Sequence, residues 1–259
     1  MKKNAYLFIA ASLGCCIYSV GSATQTGAFI SAGAGMQWLE ANTRASAITD
    51  VFNHGDYLGS YKYGADSHMR SRNLFGQVGF GYGQMIRCHW YAGTEFTASL
   101  YQNRHVGGSV TQQQDSILPT VTDTYSDELS IHDQMAISAL FGHVWPQWMM
   151  FARLGYINAR LDYENSFNID IQAVGIHDMH STWRGRVSGA LMGLGIRLPV
   201  AKHIDLSAEY DYNVYEHVHR KMVSNIVPVH GTDEGRSRAD VNINHLQSSN
   251  MVIALIVTF

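Results

Sequence analysis

Apolar and polar residues alternate along eight stretches of this sequence. The alternation predicts β-strands, because successive side chains of a strand point to opposite faces. The clearest stretch is the seventh, where Ile204 and Leu206 share one face while Asp205 lies on the other. The predicted strands cover residues 28–38, 74–83, 90–101, 131–144, 148–163, 187–198, 204–214 and 247–259. The pattern therefore predicts an all-β chain.

The connections between the predicted strands alternate in length. Short connections are predicted at 84–89, 146–147 and 199–203, and long ones at 39–73, 102–129, 164–186 and 216–246. Structureless loops of the longer kind are uncommon in compact domains. Outer-membrane barrels, however, combine short periplasmic turns with longer external loops. The pattern thus predicts four long extracellular loops, and the even strand number places both chain ends on the periplasmic side.

Alternation alone fits two kinds of barrel: one with an apolar exterior in lipid, and a soluble one with an apolar interior. Charged residues make up only 15% of the chain, against roughly 25% in soluble domains. The polar positions of the predicted strands are mostly glycine, serine, glutamine and asparagine. Aromatic residues lie near strand ends, as in the girdles of outer-membrane barrels: Trp38, Tyr82, Trp90 and Trp148. We therefore predict that the apolar face points outward, to lipid.

A transmembrane barrel also has to close. No stretch beyond residue 23 approaches the roughly 18 consecutive apolar residues that a membrane-spanning helix needs. Within lipid, every backbone N–H and C=O must pair inside the protein, and a sheet achieves this only by closing on itself. The last strand is therefore predicted to pair with the first, which gives an eight-stranded antiparallel up-and-down transmembrane β-barrel.

The first 23 residues have the features of a cleaved secretory signal peptide. Two lysines precede an apolar stretch at 5–20, and small residues follow at 21–23, where a signal peptidase cuts. Residues 24–259 are then expected to form the barrel as one domain. Cleavage leaves Cys88 as the remaining cysteine, so no intrachain disulfide supports the fold.

On these residues the sequence resembles the small eight-stranded outer-membrane barrels of Gram-negative bacteria: the opacity-protein, OmpX-like and OmpA-transmembrane-like families. The glycine-rich strand at 76–83 is similar in style. The final strand resembles the signal that the barrel-assembly machinery reads, carried here by Ile253, Leu255, Val257 and Phe259. These families often have an aromatic residue where this chain has Val257. Their members include adhesins, resistance factors and proteins without known activity, so the fold does not settle the function.

Ionisable residues on the polar faces are predicted to meet inside the barrel. An eight-stranded barrel is just wide enough for side chains to fill it, and a buried charge is costly unless it is paired. We expect Arg197 and Asp205 to be cross-strand neighbours beside one short turn. Inward glycines, among them Gly33, Gly79, Gly81, Gly193 and Gly195, would make room for the arginines. The predicted interior network comprises Glu95, Arg153, Arg197, Asp205, Glu209 and Asp211. It is expected to form a rigid filled core, and a proton or ion path is the alternative.

Histidines are common in the predicted loops, and we considered them as metal ligands. The candidates are His177, His180, His217, His219 and His230. His217 and His219 are spaced to present two imidazoles on one face of a strand. Zinc usually takes three or four protein ligands, and no cysteine joins these histidines. Solvated loop histidines are therefore expected, with no metal and no other cofactor.

Catalysis was considered because some eight-stranded barrels modify lipid A with a histidine and a serine. His180 and Ser181, with Asp178 nearby, are the right residue types. Adjacent residues of an extended chain point apart, however, whereas a serine nucleophile needs its base within hydrogen-bond reach. No catalytic residue is predicted, and the chain is expected not to be an enzyme.

The sequence therefore predicts a non-enzymatic surface protein that acts in envelope integrity, adhesion or contact with a host or the environment. A lipid A-modifying enzyme and a narrow channel are the alternatives. The resemblance implies outer-membrane lipid, lipopolysaccharide and the barrel-assembly machinery as partners, and the long loops suggest a surface ligand. A net charge of −3 gives no electrostatic case for binding nucleic acid.

Overall fold

Ten β-strands make up the regular structure of this chain. A computed structural model describes residues 26–53, 56–87, 89–101, 106–113, 121–171, 175–226 and 235–259. The predicted signal peptide, Cys88 and His230 lie outside these ranges. The strands are β1 (Gly27–Asn53), β2 (Asp56–Arg87), β3 (Trp90–Tyr101), β4 (Val106–Gln113), β5 (Val121–Val144), β6 (Met149–Ile171), β7 (Gly175–Ala201), β8 (Ile204–Tyr215), β9 (Val218–Ile226) and β10 (Gly235–Thr258). None of the described residues forms a helix long and apolar enough to cross a membrane.

Eight of these strands form a closed antiparallel ring. Its order is β1, β2, β3, β5, β6, β7, β8 and β10, and β10 returns to pair with β1. Phe29 lies opposite Thr258 in that closing pair. The remaining two strands, β4 and β9, follow β3 and β8 along the chain and pair with β5 and β10. The predicted eight-stranded up-and-down barrel with a paired first and last strand is confirmed.

Three short turns lie at one end of the barrel, which we call the lower end. They join β2 to β3, β5 to β6 and β7 to β8, within or close to the predicted short connections. Residues 27 and 259 lie at the same end. Stacked aromatic rings cluster there: Trp90 on Phe141 at 5.1 Å between centroids, and Trp145 on Trp148 at 4.1 Å. Such rings are typical of a membrane–water interface.

The opposite, upper end differs from the sequence prediction. The segments predicted as long loops are, in most of their described residues, continuations of the strands. β1 and β2 are 27 and 32 residues long, and they stay paired from Gly27 opposite Gly83 to Asn53 opposite Asp56. The wall is extended in the same way by β5 and β6, which stay paired up to Val121 opposite Ile171. It is also extended by β6 and β7, which stay paired up to Ile171 opposite Gly175.

Two halves of the barrel differ in which side of the wall is apolar. In the lower half, large apolar side chains face outward and are exposed: Ile30, Leu74, Val78, Phe80, Leu100, Ile137, Leu154, Leu194, Ile253 and Leu255. In the upper half, apolar side chains face inward and are buried: Leu39, Ala41, Met69, Leu129, Ile131, Leu161, Val187, Val241, Ile243 and Leu246. The outer wall of the upper half is polar. The predicted outward apolar face is thus correct for the lower half, and the upper half, most of which was predicted as loops, has the opposite arrangement.

On β1 the reversal takes place without a change in the pleat of the strand, whereas on β5 and β10 the inward residues change from odd to even positions at a register shift. Along β1, even-numbered residues face outward in both halves: they are apolar up to Trp38 and mostly polar from Glu40 onward, with Ile48 as an exposed apolar residue. Leu39 begins the inward apolar series. At about 3.3 Å per residue and a strand tilt of about 40°, the apolar stretch 28–38 rises roughly 25 Å, the height of a bilayer-facing band. The stretch 39–53 adds roughly 35–40 Å by the same geometry.

Backbone irregularities mark the boundary between the halves, which we call the crossover level. The β1–β10 pairing shifts register between Glu40 and Asn42, and His245 opposite this shift has a φ of 51°. The β5–β6 pairing shifts between Ile131 and Gln134. Bulges of this kind bend the wall and increase its twist, and they lie here where the outer surface changes from apolar to polar.

Candidate functional site

The ionic residues predicted for the interior lie inside the lower half. Arg153 on β6 is 1% exposed and reaches across the barrel to strands β3 and β8. Its Nη1 donates to Glu209 Oε2 at 2.9 Å and to Asp211 Oδ2 at 3.2 Å, and its Nη2 lies 3.5 Å from Glu95 Oε2. This ionic layer, Glu95, Arg153, Glu209 and Asp211, therefore connects three strands of the wall through one guanidinium.

Hydroxyl groups complete the ionic layer. Ser138 accepts from Arg153 Nε at 3.0 Å, Ser31 donates to Glu95 at 3.0 Å, and Ser207 donates to Glu209 at 2.7 Å. Three carboxylates face one guanidinium in this layer, so all three depend on Arg153 for an ion-pair partner.

A glycine makes the Arg153–Asp211 contact possible. In the register, Gly193 of β7 lies between Arg153 of β6 and Asp211 of β8. A Cβ atom on Gly193 would overlap the carboxylate of Asp211. Gly81 and Gly195 instead adjoin the aromatic rings of Phe29 and Phe151. The predicted inward glycines thus accommodate rings and carboxylates, and no arginine atom is among those nearest to them.

Arg197 and Asp205 are both buried, but the expected cross-strand pair does not form. The two-residue turn after Ala201 sets the register so that Arg197 lies opposite Ser207 and Asp205 opposite Pro199. No ion pair joins Arg197 to a carboxylate among the described residues. This expectation from the sequence was wrong because the turn length, which sets the register, was predicted as five residues.

Aromatic rings surround Arg197 instead. Its Cζ lies 5.0 Å from the ring centroids of Phe29 and Phe151 and 5.8 Å from that of Tyr91. Nη1 approaches the Tyr91 hydroxyl at 3.5 Å, while Nε and Nη2 have no hydrogen-bond partner within the described chain. Together with further apolar residues, these rings form an aromatic layer that fills the lower end: Phe29, Tyr91, Leu140, Val144, Met149, Phe151 and Ile256.

A buried carboxylate lies in the upper half, in a segment predicted as loop. Asp127 Oδ2 accepts from Ser67 at 2.7 Å, from Tyr125 at 3.2 Å and from Thr43. The Tyr125 hydroxyl also lies 2.7 Å from that of Tyr163. Burial raises the pKa of Tyr125, and the neighbouring Tyr163 and Asp127 raise it further. The sequence carries a signal for this strand, because every second residue from Tyr125 to Ile131 faces inward. Such alternation is typical of a β-strand.

The candidate histidines lie on or near the outer wall of the upper half. His180 contacts Glu164 at 3.3 Å, and His219 contacts Asp240 at 3.3 Å and Asn242 at 2.6 Å. His217 is exposed just before β9. The side chains of His177 and Asp178 are outside the described set. Within the described part of the chain, no group of three or more His, Cys, Asp or Glu side chains is arranged to hold a metal ion.

A serine, a histidine and an aspartate that the sequence reasoning missed meet at the β5 bulge. Ser130 Oγ lies 3.2 Å from His132 Nε2, and Asp162 Oδ2 lies 2.9 Å from the same nitrogen. A hydrolase triad needs the serine and the acid on opposite ring nitrogens. Ser130 is also 1% exposed. The arrangement therefore does not supply an activated nucleophile.

The outward face of β10 carries the residues predicted as an assembly signal. Ile253, Leu255 and Phe259 are exposed on the lower outer wall, and Val257 is half-buried beside them. Ile253 and Leu255 lie opposite Ala34 and Ala32 of β1, at the seam where the ring closes.

No family model matches the chain, and no curated protein matches it. The solved structures similar to it are outer-membrane β-barrels, the group that the sequence resembles. Neisserial surface protein A is 12% identical, with 85% of this chain and 97% of that chain covered and a TM-score of 0.31. The outer-membrane protease OmpT from Escherichia coli is 8% identical, with 94% and 99% covered and a TM-score of 0.45. Ail, the attachment invasion locus protein of Yersinia pestis, in complex with the heparin analogue sucrose octasulfate, is 9% identical, with 84% and 98% covered and a TM-score of 0.27.

Proposed function

We propose that this chain is a non-enzymatic outer-membrane surface protein that contacts a host or environmental surface through its upper half. The observation that carries the proposal is the reversal of polarity at the crossover level. An apolar outer wall is stable in lipid, whereas a polar outer wall over an apolar interior is stable in water. One continuous barrel is thereby suited to span the membrane and to stand well clear of it.

The orientation follows from the same halves. The lower end, with the short turns and both described chain ends, is assigned to the periplasm, and the upper half to the cell exterior. The outward face of β10, from Ile253 to Phe259, is assigned to recognition by the barrel-assembly machinery. The surrounding partners are outer-membrane lipid and lipopolysaccharide.

The filled interior supports a closed barrel over a narrow channel. The aromatic layer, the ionic layer and the apolar core of the upper half lie one above another in the described lumen. Sustained unitary currents in a planar bilayer would contradict this part of the proposal. A change in the lipid A mass spectrum on expression of the protein would favour the lipid A-modifying alternative.

Cysteine labelling on intact cells tests the placement. In a Cys88→Ser background, Ser46→Cys puts a thiol on the upper outer wall, and Thr94→Cys puts one on the lower outer wall. A membrane-impermeant maleimide is expected to label Ser46→Cys and to leave Thr94→Cys unlabelled until the membrane is dissolved. Labelling of both variants, or of neither, on intact cells would refute the placement.

Surface contact is tested by removing one tip of the barrel. Ala47 and Tyr63 lie opposite each other in the β1–β2 pair, so a two-residue turn can replace the segment between them. Cells that express the intact protein are expected to bind a panel of immobilised glycans and matrix proteins better than cells that express the trimmed one. Both proteins should still shift on a gel when boiled. Equal binding by intact, trimmed and non-expressing cells would refute the contact role.

A further inference from the structure

A groove runs across the outer wall at the crossover level. It has a volume of about 360 Å³ and is formed by residues of β2, β1, β10 and β8. We call it the interface groove. Its outward-facing side chains include Trp38, Glu40, Arg70, Arg72, Tyr212 and Gln247. It lies just below the register shift between β1 and β10. A bulge of this kind bends the wall.

The two arginines of the groove have different surroundings. Arg70 pairs with Glu40, at 2.7 Å from Nη2 and 2.8 Å from Nε. Glu40 also accepts from Gln247 at 2.8 Å and lies 3.2 Å from His68. Arg72 is exposed and has no acidic or hydrogen-bonding partner in the described part of the chain. The groove therefore holds one cation whose charge is not balanced.

Arg72 lies at the upper edge of the apolar band. It is opposite Trp38 in the β1–β2 register, and the next outward residue below it, Leu74, is 59% exposed. Trp38 and Tyr212 are aromatic residues of the kind that mark a membrane interface. An anion that binds Arg72 would therefore carry its apolar part on the wall below.

A second groove continues above the bulge on β1, β2 and β10. It has a volume of about 450 Å³, and its outward side chains are amides, a carboxylate, imidazoles and a guanidinium. They include Asn42, Arg44, Asp66, His68, Asn244 and His245. Such groups donate and accept hydrogen bonds with polyhydroxylated ligands. The two grooves thus form a path from an apolar wall, past a free guanidinium, to a polar wall.

We propose that the interface groove binds a phosphorylated glycolipid of the surrounding leaflet. Arg72 binds its phosphate, because a planar guanidinium forms two parallel hydrogen bonds to phosphate oxygens. The acyl chains then lie along the apolar band, and the sugars extend into the upper groove. This inference rests on the proposed placement in the outer membrane and adds a defined lipid site to it.

Native mass spectrometry of the detergent-solubilised full barrel tests the site with bisphosphorylated lipid A as the probe. Arg72→Gln is expected to weaken lipid A binding about tenfold or more, the effect of losing a charge-assisted hydrogen bond. Arg238→Gln is the matched control, because Arg238 is exposed on β10 far above the groove. Dephosphorylated lipid A should bind the wild type and Arg72→Gln equally weakly. The phosphate–Arg72 contact is absent in both cases.

The outcomes separate this inference from the proposed function. If Arg72→Gln and Arg238→Gln bind lipid A as tightly as the wild type, the site is refuted even though the barrel is in the outer membrane. If removal of the phosphates weakens binding to Arg72→Gln as much as to the wild type, the phosphate binds elsewhere and the site is again refuted. Fractionation away from the outer membrane would instead refute the proposed placement.

Discussion

The lower and upper halves of this barrel use the same strands, yet they solve opposite problems of solvation. In the lower half the wall faces outward with apolar side chains and encloses the ionic layer above the aromatic layer. In the upper half it faces outward with charges and encloses apolar side chains. On β1 the apolar residues change from even to odd positions, whereas on β5 and β10 they stay on odd positions and a bulge turns those positions from one face of the wall to the other. The comparison shows that a strand can pass from lipid to water either by changing its residue pattern or by a bulge that changes which face the pattern points to.

The ionic layer of the lower half is expected to give the largest effect on stability. Arg153→Met leaves three buried carboxylates without their cation, so the free energy of unfolding should fall by about 3–5 kcal/mol. Urea unfolding in micelles, read by the gel shift on boiling, measures the change. Arg184→Met is the control: Arg184 is 72% exposed and pairs with Asp162 at 3.3 Å, and it should cost less than about 1 kcal/mol. Equal losses in the two variants would show that the layer is not sealed from water.

The apolar core of the upper half is expected to contribute next. Leu161→Ala should lower the free energy of unfolding by about 2–5 kcal/mol, because Leu161 is buried and its removal leaves a cavity. Thr182→Ala, outward on the neighbouring strand β7, should have little effect. The same urea unfolding measures both. If Leu161→Ala were as stable as Thr182→Ala, the upper half would not hold a packed core.

Arg197 should behave unlike Arg153, although both are buried arginines. Arg197→Met removes a cation that is surrounded by rings and pairs with no carboxylate among the described residues. The cation–π contacts are lost, but the cost of burying N–H groups without hydrogen-bond partners is removed as well, and the two effects offset each other. The expected change in unfolding free energy is below about 1 kcal/mol, or a small gain. A loss as large as that of Arg153→Met would show that Asp205 or another carboxylate pairs with Arg197 in solution.

Acid should weaken the groove on the outer wall slightly. Hydrogen bonds from Gln247 and Arg70 lower the pKa of Glu40 below 4.5. Glu40 therefore contributes stability above its unfolded-state pKa and loses that contribution as the pH falls through the lower folded value. The urea midpoint of the wild type should fall more than that of Glu40→Gln when the pH is brought from above 4.5 to well below it. Parallel pH profiles for the two proteins would contradict this assignment.

The sequence was sufficient to predict the lower half and insufficient for the upper half. Alternation over residues 28–38 assigns the outward face of the first strand. The same kind of alternation in three other strands places the odd-numbered Glu95, Arg153 and Glu209 inside. At Leu39 the apolar residues change from even to odd positions, and this phase change was interpreted as the end of the strand. The continuation to Asn53 was therefore missed.

The contacts within the interior depend on register, which local sequence specifies weakly. Arg197 and Asp205 were assigned to the correct face, but a turn of two residues rather than five places Pro199 opposite Asp205. The Asp127 cluster was missed for a related reason, because its three donors come from β1, β2 and β5. Thr43 and Ser67 are far from Asp127 in the chain and meet it only in the folded barrel.

The paired wall of the upper half has a consequence for immune recognition of the protein. Arg44 of β1 donates to Asp66 of β2 at 2.7 and 3.0 Å on the exposed surface, so neighbouring surface residues come from distant parts of the chain. An antibody raised against the folded upper half is expected to contact both strands together. Short linear peptides will compete poorly with such an antibody, and boiled antigen will lose its reactivity.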